Sequence, residues 1–502
     1  MTSTRATAAR PSPAPHAGPT LGLPAAAALV VLSSASTAAL EIVVQRLVVP
    51  YVGLTLDTST AAIGVALAGI AVGTYLGGRA ADRVDPRRTI GPALVVAGVL
   101  VLLARPLALL LGPAYRGGGP SAAVLLTTVA VAAPIAVLAT IPPAVVKARL
   151  ADLGETGSVV GRIEALSTVG ALTGTFVTGY VLLGASSTAV ILGTIGTVLL
   201  VVGALVTALH RRSGARLPAG PAGLAVLVAA GALVAVPGEC EYETRYYCGR
   251  VETVPTGAPT ERLLRLDNLR HAVVDLADPT ALSFAYTQRF AEVVDAVHPG
   301  GEPLDALHLG GGGFTMPRWL AATRPGSAST VLELDPGVVR IGRERLGLDE
   351  VPDLTVRTGD ARTSLTGEPT DGHDVVIGDA FGSLSVPWHL TTVEFLTEVR
   401  RVLRPGGVYA LNVIDNPPLE FVRAQTATLA AVFDHVAVLG EADQLAGDRG
   451  GNFVLVASDV PLPPQLVREG AGADWAGDAP VLTDDRAPVD QLITPVYAVR
   501  RG

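Results

Sequence analysis

Charge is what this chain has least of. Asp, Glu, Lys and Arg make up 16% of its 502 residues, against about 25% in an ordinary soluble domain. The shortage is uneven. Up to about Val236 charges are sparse and Ala, Val, Leu, Gly and Thr dominate; after Gly238, Asp, Glu and Arg return at the density of a soluble protein. The net charge is −8, so the basic surplus of a nucleic-acid-binding protein is absent. Cysteine is nearly absent too. The two that exist, Cys240 and Cys248, lie in "ECEYETRYYC" with no histidine nearby. Two thiols alone make a poor zinc site, so no metal is expected. A disulfide and an inert thiol pair stay open.

What the first half has instead is long apolar runs. Seven stretches, at 23–49, 57–78, 89–112, 120–142, 164–185, 187–209 and 219–237, are each long enough for the roughly 20 helical residues a bilayer core requires. Residues 1–20 read as a disordered tail with two arginines. A signal peptide would share that tail, but the apolar stretch after Leu21 runs on through Glu41 without a cleavage boundary, which favours a retained first span. The expected domains are thus a tail (1–20), a polytopic all-α membrane domain (21–238), a linker with a small β/helix region (239–300), and an α/β domain (301–502).

Loop charges give an orientation. Arg79, Arg83, Arg87 and Arg88 follow span two; Lys147, Arg149 and Arg162 follow span four; Arg211, Arg212 and Arg216 follow span six. The alternate loops carry little beyond Arg116. The basic loops and the N-terminus are therefore expected on the cytoplasmic face. An odd number of spans then makes this a multi-pass cell-membrane protein with its C-terminal domain outside. Disulfides persist there, which favours a Cys240–Cys248 bridge. "GTYLGGRAADRVDPRR" (Gly73–Arg88) resembles the first cytoplasmic loop of major facilitator transporters, and equally suits an ordinary tight cytoplasmic loop. Glu41 and Arg46, near the outer end of span one, fit a functional intramembrane pair or a structural one.

The second half changes period. "RLLRLDNLRHAVVDL" alternates like paired strands, and "SFAYTQRFAEVVDAV" has helical spacing. Strand–turn–helix units follow: "ALHLGGGG" into "FTMPRWLAATRP", "STVLELD" into "PGVVRIGRERLGL", then "LTVRTGDA", "HDVVIGDAF", the helix "TTVEFLTEVRRVL" and the strand "VYALNVID". This pattern predicts a parallel, doubly wound, Rossmann-like α/β sheet. Ligands of such sheets sit at the carboxyl ends of the strands. There lie the glycine turn Gly310–Gly313, then Glu333 and Asp335, then Asp360 with Ala361 beside it, then Asp379. Glu333 or Asp335 is placed to accept from ribose hydroxyls, and Asp360 from an adenine amino group. Each acid alone also suits a helix cap. The turn lacks the third glycine of the dinucleotide fingerprint, whose place Thr315 takes, and there is no Walker lysine. A methionine nucleoside fits better than NAD or ATP.

At this point Leu264–Asp415 resembles the spermidine synthase family of polyamine aminopropyltransferases, in the bacterial form fused behind membrane spans. The family's Gly-Gly-Gly-Asp-Gly matches at Gly310, Gly311 and Gly312; its Glu-Ile-Asp matches Glu333–Asp335; its Gly-Asp matches Gly359–Asp360; its Phe-Ser-Tyr matches Phe284–Tyr286 loosely. The resemblance implies a domain of the S-adenosylmethionine-dependent methyltransferase type in which Glu333 binds ribose, Asp360 reads adenine and Asp379 is the catalytic Asp, a base, opening the family's Asp-Ser-Ser-Asp. Two family acids are missing. Gly313 stands where an Asp would hold the ammonium of decarboxylated S-adenosylmethionine, and Gly382 stands at the second Asp of Asp-Ser-Ser-Asp. Asp275, Asp278 and Asp415 are the candidates to replace them, with Tyr286 and Trp388 as further substrate contacts. Trp388 and His389 suit an aromatic wall with an acid/base, or a packed lid. "LTDDRAPVD" suits a polyamine path or a solvated turn.

The leading expectation is a membrane-anchored aminopropyltransferase that takes the decarboxylated donor and a polyamine such as putrescine. Gly313 opens a second: without the Asp, the carboxylate of intact S-adenosylmethionine is no longer repelled, which suits a methyltransferase or divergent transferase. A third is a transporter or sensor of polyamine-like cations with a non-catalytic nucleoside domain. The expected partners are a small amine, the bilayer and a second copy of the chain, with no nucleic acid. An external domain would not ordinarily meet a cytoplasmic nucleoside.

Overall fold

The computed structural model describes residues 21–53, 56–150, 155–210, 229–232, 236, 238–254, 257–381 and 386–493. They form two compact units. One comprises Met1–Leu47, Thr60–Leu110 and Val124–Val236; the other comprises Val48–Ser59, Leu111–Ala123 and Pro237–Gly502.

Among the described residues of the first half, six helices are long and apolar enough to cross a membrane: α1 (Leu23–Val52), α2 (Thr58–Arg83), α3 (Pro86–Tyr115), α4 (Pro120–Arg149), α5 (Thr156–Ala185) and α6 (Thr188–Leu209). The seventh expected stretch, 219–237, lies largely outside the described residues. Within it, 229–232 are helical and Ala229 is buried against Leu102. Helices that cross a bilayer gain little from the hydrophobic effect and rely on close backbone approach at small residues. Three pairs show this. A Cβ at Gly174 of α5 would lie 2.3 Å from the Ala35 carbonyl oxygen of α1. One at Gly73 of α2 would lie 2.1 Å from the Ala136 oxygen of α4, and one at Gly98 of α3 would lie 2.8 Å from the Gly196 oxygen of α6. Gly73 therefore serves helix packing. Asp82, later in the same transporter-like stretch, pairs with Lys147 at 3.0 Å.

The C-terminal unit begins with an antiparallel sheet ordered β1 (Tyr242–Glu243), β2 (Cys248–Thr253), β3 (Glu261–Leu266), β4 (Leu269–Asp275). A Cys240–Cys248 disulfide closes the first turn. Asp267 sits at the β3–β4 turn with φ +53° and accepts from the Cys248 N–H at 2.9 Å. After α7 (Ala285–Val297) comes the main sheet: β5 (Asp305–Leu309), β6 (Ala328–Glu333), β7 (Leu354–Thr358), β8 (His373–Gly378), β9 (Leu403–Asp415), β10 (His435–Leu439), β11 (Gly451–Ser458) and β12 (Gly470–Gly472). Its order is β12-β10-β11-β9-β8-β5-β6-β7. The five strands from β9 to β7 are parallel. The last three, β11, β10 and β12, run antiparallel to their neighbours, so the all-parallel sheet read from the sequence needs a mixed edge.

Both faces are covered, which explains the near-continuous apolar runs of the central strands. Leu307, Leu309 and Val376 point into one core, with Phe395 of α11 (Val393–Val402) and Phe421 of α12 (Glu420–Ala430). Ala306, Val375 and Ile377 point into the other, with Phe290 of α7 and Trp319 of α8 (Thr315–Thr323). The strand order reverses between β5 and β8, and the crevice of such a sheet opens outside the carboxyl ends at that point.

Candidate functional site

The reversal brings the glycine turn against Asp379. The Asp379 N–H donates to the Leu309 carbonyl at 2.9 Å. Gly310 has φ +95°, and a Cβ there would sit 2.6 Å from the Asp379 carbonyl oxygen. Only glycine allows both the dihedral and the approach. Next along the sheet, Glu333 ends β6. Its carboxylate accepts from the Gly311 N–H at 2.7 Å and from the Asp335 N–H at 2.8 Å. Burial raises its pKa, and those backbone donors counter the rise only in part. Asp360 caps α10 (Ala361–Leu365), accepting from the Thr363 N–H at 3.1 Å, and lies 2.9 Å from His389 Nε2. Burial pushes its pKa up, but the bonds from Thr363 and His389 outweigh this and hold it below the usual carboxylate range.

These residues line a small cavity of about 80 Å³ with Gly310, Gly312, Ala361, Tyr247, His271 and Leu390. That is well below the roughly 300–1,000 Å³ of ligand pockets. An adenine amino group binding Asp360 would share its carboxylate with His389.

On the other side of Asp379 lies a cavity of about 400 Å³, lined by Tyr286, Asn412, Arg270, Arg289, Glu441 and Asn452 among others. Asp379, His271 and Phe381 border both cavities. Asp379 accepts from Asn412 Nδ2 at 2.9 Å and from the Tyr286 hydroxyl at 3.1 Å. Asn452 Nδ2 donates to Asn412 Oδ1 at 3.0 Å and so fixes which way that amide points. Desolvation nevertheless raises Asp379 to about 6. The same burial lowers His271 to about 4, so its ring is neutral near pH 7. Tyr247, whose ring lies 6.5 Å from that of His271, donates to the Phe381 carbonyl at 2.9 Å.

Several expected contacts are placed elsewhere. Asp335 is fully buried and turned away from the crevice; it caps α9 (Pro336–Arg345) by accepting from the Gly337 N–H at 2.8 Å and also takes the Thr244 hydroxyl. Asp275 and Asp278 cap the turn after β4, accepting from the N–H groups of Ala277 and Thr280 at 2.9 Å. Asp415 caps α12 through Val422 N–H at 2.9 Å. Trp388 lies edge-on to His389 at 5.7 Å, is half exposed and borders neither cavity. Gly313 borders neither cavity and packs beneath Ala272. Gly382 lies outside the described residues. Asp484 pairs with Arg362 at 2.8 Å, and Arg362 also donates to the His389 carbonyl at 2.9 Å, so the terminal acidic stretch braces the His389 segment.

Sequence reading missed His271, Tyr247, Asn412 and Arg270. Only Asn412 left a signal, as a polar residue inside the apolar run of β9. The hairpin residues reach the crevice through tertiary packing alone.

No family model matches this chain. It is 28% identical over 218 residues to the polyamine aminopropyltransferase of Vibrio vulnificus, covering 38% of this chain and 70% of that protein. It is 34% identical over 130 residues to the probable polyamine aminopropyl transferase of Bifidobacterium longum, covering 26% of this chain and 28% of that one. Among solved structures, a probable spermidine synthase from Corynebacterium glutamicum is similar at 29% identity and a TM-score of 0.45, over 49% of this chain and 97% of its own. These relatives are transferases by name. The C-terminal half is thus similar in sequence to proteins named polyamine aminopropyltransferases, and it follows a half in which six helices among the described residues have membrane-spanning length and apolarity.

Proposed function

We propose that the C-terminal unit transfers an aminopropyl group from decarboxylated S-adenosylmethionine to an amine held in the larger cavity. The observation that carries this reading is Asp379, a buried carboxyl at about 6 bordering both cavities. In the transfer the amine nitrogen forms a bond to the carbon beside the sulfonium, the carbon–sulfur bond breaks, and a neutral thioether nucleoside leaves. The proton lost by the amine goes to Asp379. A base with a pKa near ambient pH suits that task, and such help contributes roughly 10²–10⁴-fold. Glu333, with two oxygens already fixed by backbone donors, is oriented to accept from ribose. Asn412 and Tyr286 hold Asp379 in one pose, so less of the barrier is spent on alignment. The test is production of the thioether nucleoside by the purified full-length protein given donor and putrescine. Turnover by wild type and its loss in Asp379→Asn supports the reading; equal turnover by both overturns it.

A second reading has its own support. Gly313 leaves no carboxylate to hold a donor ammonium, and the larger cavity contains Arg270, beside an Arg289 that is paired with Glu441 at 3.3 Å. Both suit the carboxylate of intact S-adenosylmethionine. Calorimetry with both donors side by side separates the readings. Preference for the intact form would move the chemistry to methyl or another transfer.

The proposal includes an extracytoplasmic C-terminal unit. The lightly charged segments Val48–Ser59 and Leu111–Ala123 belong to that compact unit, and Arg116 pairs with Glu239 within it. Glu302→Cys, on an exposed turn of that unit, is expected to react with a membrane-impermeant maleimide in intact cells. Reaction only after lysis would reverse the orientation.

A further inference from the structure

We propose that the membrane half carries a binding site for a linear alkylamine, with Glu41 and Glu164 as its counter-charges. The inference is independent of the chemistry assigned to Asp379.

A cavity of about 570 Å³ lies within the membrane unit. Ser34, Thr37 and Glu41 of α1 line it, with Thr74 of α2 and Glu164 and Ser167 of α5. Glu41 stands eleven residues before the end of α1 and Glu164 eight residues into α5. At 1.5 Å per residue, both lie ~12–16 Å from the nearer helix end, inside a hydrocarbon layer ~30 Å thick. Carboxylates at that depth are costly, so those present face a bundle interior or a water-filled cavity and mark ligand or ion paths.

The cavity does not satisfy these two groups. Neither carboxylate hydrogen-bonds or ion-pairs with another side chain among the described residues. Four of the lining hydroxyls are committed elsewhere: Ser33 and Thr37 donate to backbone carbonyls at 3.0 Å, and Ser34 and Ser167 share a bond of 2.8 Å. With no described side chain donating to them, Glu41 and Glu164 are left to take donors from whatever enters.

The lining says what that is. Among the described residues its one cationic side chain is Lys147, the single lysine of the chain, and the exposed Asp82 holds it at 3.0 Å. With Lys147 and Asp82 cancelling, Glu41 and Glu164 leave the lining negative, so the ligand is a cation. Among the described residues no group of three His, Cys, Asp or Glu converges as a metal site, and the volume far exceeds that of one ion. Ile70, Leu138 and Val160 supply apolar wall to the same cavity. Ammonium groups joined by a methylene stem match acid, wall and acid together.

The test is equilibrium binding of radiolabelled spermidine to the full-length protein in lipid nanodiscs, in an Asp379→Asn background that keeps the proposed acceptor site from contributing to the difference. Saturable binding is expected, falling at least tenfold in Glu41→Gln and in Glu164→Gln. 1,8-Octanediol, a neutral chain with the same kind of stem, is expected not to displace the label. Thr74→Leu, which fills the cavity without changing charge, should abolish binding while the unfolding temperature is kept. Binding unchanged by both glutamine variants overturns the proposal. So do the absence of saturable binding and displacement by sodium ions at equal charge concentration. Because transferase turnover is read separately as thioether product, either proposal can fail while the other stands.

Discussion

The two halves use carboxylates in opposite ways. In the C-terminal unit every crevice acid is already donated to: Glu333 by Gly311 and Asp335, Asp360 by Thr363 and His389, Asp379 by Asn412 and Tyr286. In the N-terminal unit Glu41 and Glu164 line a cavity, and no described side chain donates to either. A saturated carboxylate is held in one pose, which suits orienting a ligand or taking a proton. A bare one in a low-dielectric wall is held by nothing until a donor arrives. If that contrast is right, removing the acids should cost function in both halves but folding stability in only one.

The sharpest break is expected at Asp379. Asp379→Asn should lower turnover by ~10²–10⁴-fold at pH 8, and wild-type turnover should fall as pH drops through about 6, where Asp379 takes up its proton. Stability should move the other way. A carboxyl whose folded pKa lies above its unfolded one favours folding at low pH and loses that contribution as pH rises through the folded pKa. Asn cannot ionise, so the variant should unfold at a higher temperature than wild type at pH 8 and at a similar one near pH 4. A variant that is inactive and also less stable at pH 8 would mean Asp379 is a structural acid.

Next is a matched pair. Glu333→Ala strips the acceptor from two N–H groups, each costing ~1–3 kcal/mol if left buried and unsatisfied. A drop in unfolding temperature and loss of nucleoside binding should appear together. Glu41→Ala removes a carboxylate to which no described side chain donates, so the unfolding temperature in nanodiscs should hold or rise. A large drop at Glu41 would show a partner that the contrast denies.

Gly313→Asp tests how a glycine is to be read. A Cβ there would lie 2.4 Å from the Ala272 Cβ and 3.1 Å from a Val274 methyl. Restoring the family acid should therefore cost ~1–3 kcal/mol of overpacking and gain no turnover with the decarboxylated donor. A gain would mean the hairpin yields and charge alone decides donor choice.

That position shows where the sequence was legible and where it was not. The span pattern, the strand–helix alternation and the acids at strand ends are local signals, carried by residue type at fixed spacing. The missing acid at Gly313 was equally visible. Its packing against Ala272 was not, because the two are 41 residues apart in sequence and meet only through the hairpin. Asp335 makes the same point. An acid between a strand and a helix suits a ligand and a cap alike, and what turns it to capping is Thr244, brought in by the small sheet. The antiparallel edge, β10 to β12, likewise depends on pairings that no local period reports.

The smallest effect is expected at His389, and it reaches the weakest of the saturated acids. Asp360 is 39% exposed and takes its second donor from His389 Nε2. Thr363 remains as donor in His389→Ala, so the helix cap survives and the stability loss at neutral pH should be under ~1 kcal/mol after screening by water. The sign with pH is fixed. A carboxyl held below its ordinary pKa favours folding above the unfolded pKa and loses that contribution as pH falls through the folded one. The difference between wild type and His389→Ala should therefore shrink towards acid pH. Nucleoside binding separates two roles for the histidine. If His389 competes with adenine for Asp360, the variant binds donor as well or better, because one oxygen has been freed. If His389 holds Asp360 in the pose that reads adenine, binding weakens several-fold while Glu333 keeps the ribose. Either result bears on the contrast between the halves, since it shows whether even a well-donated carboxylate keeps a lone pair in reserve for its ligand.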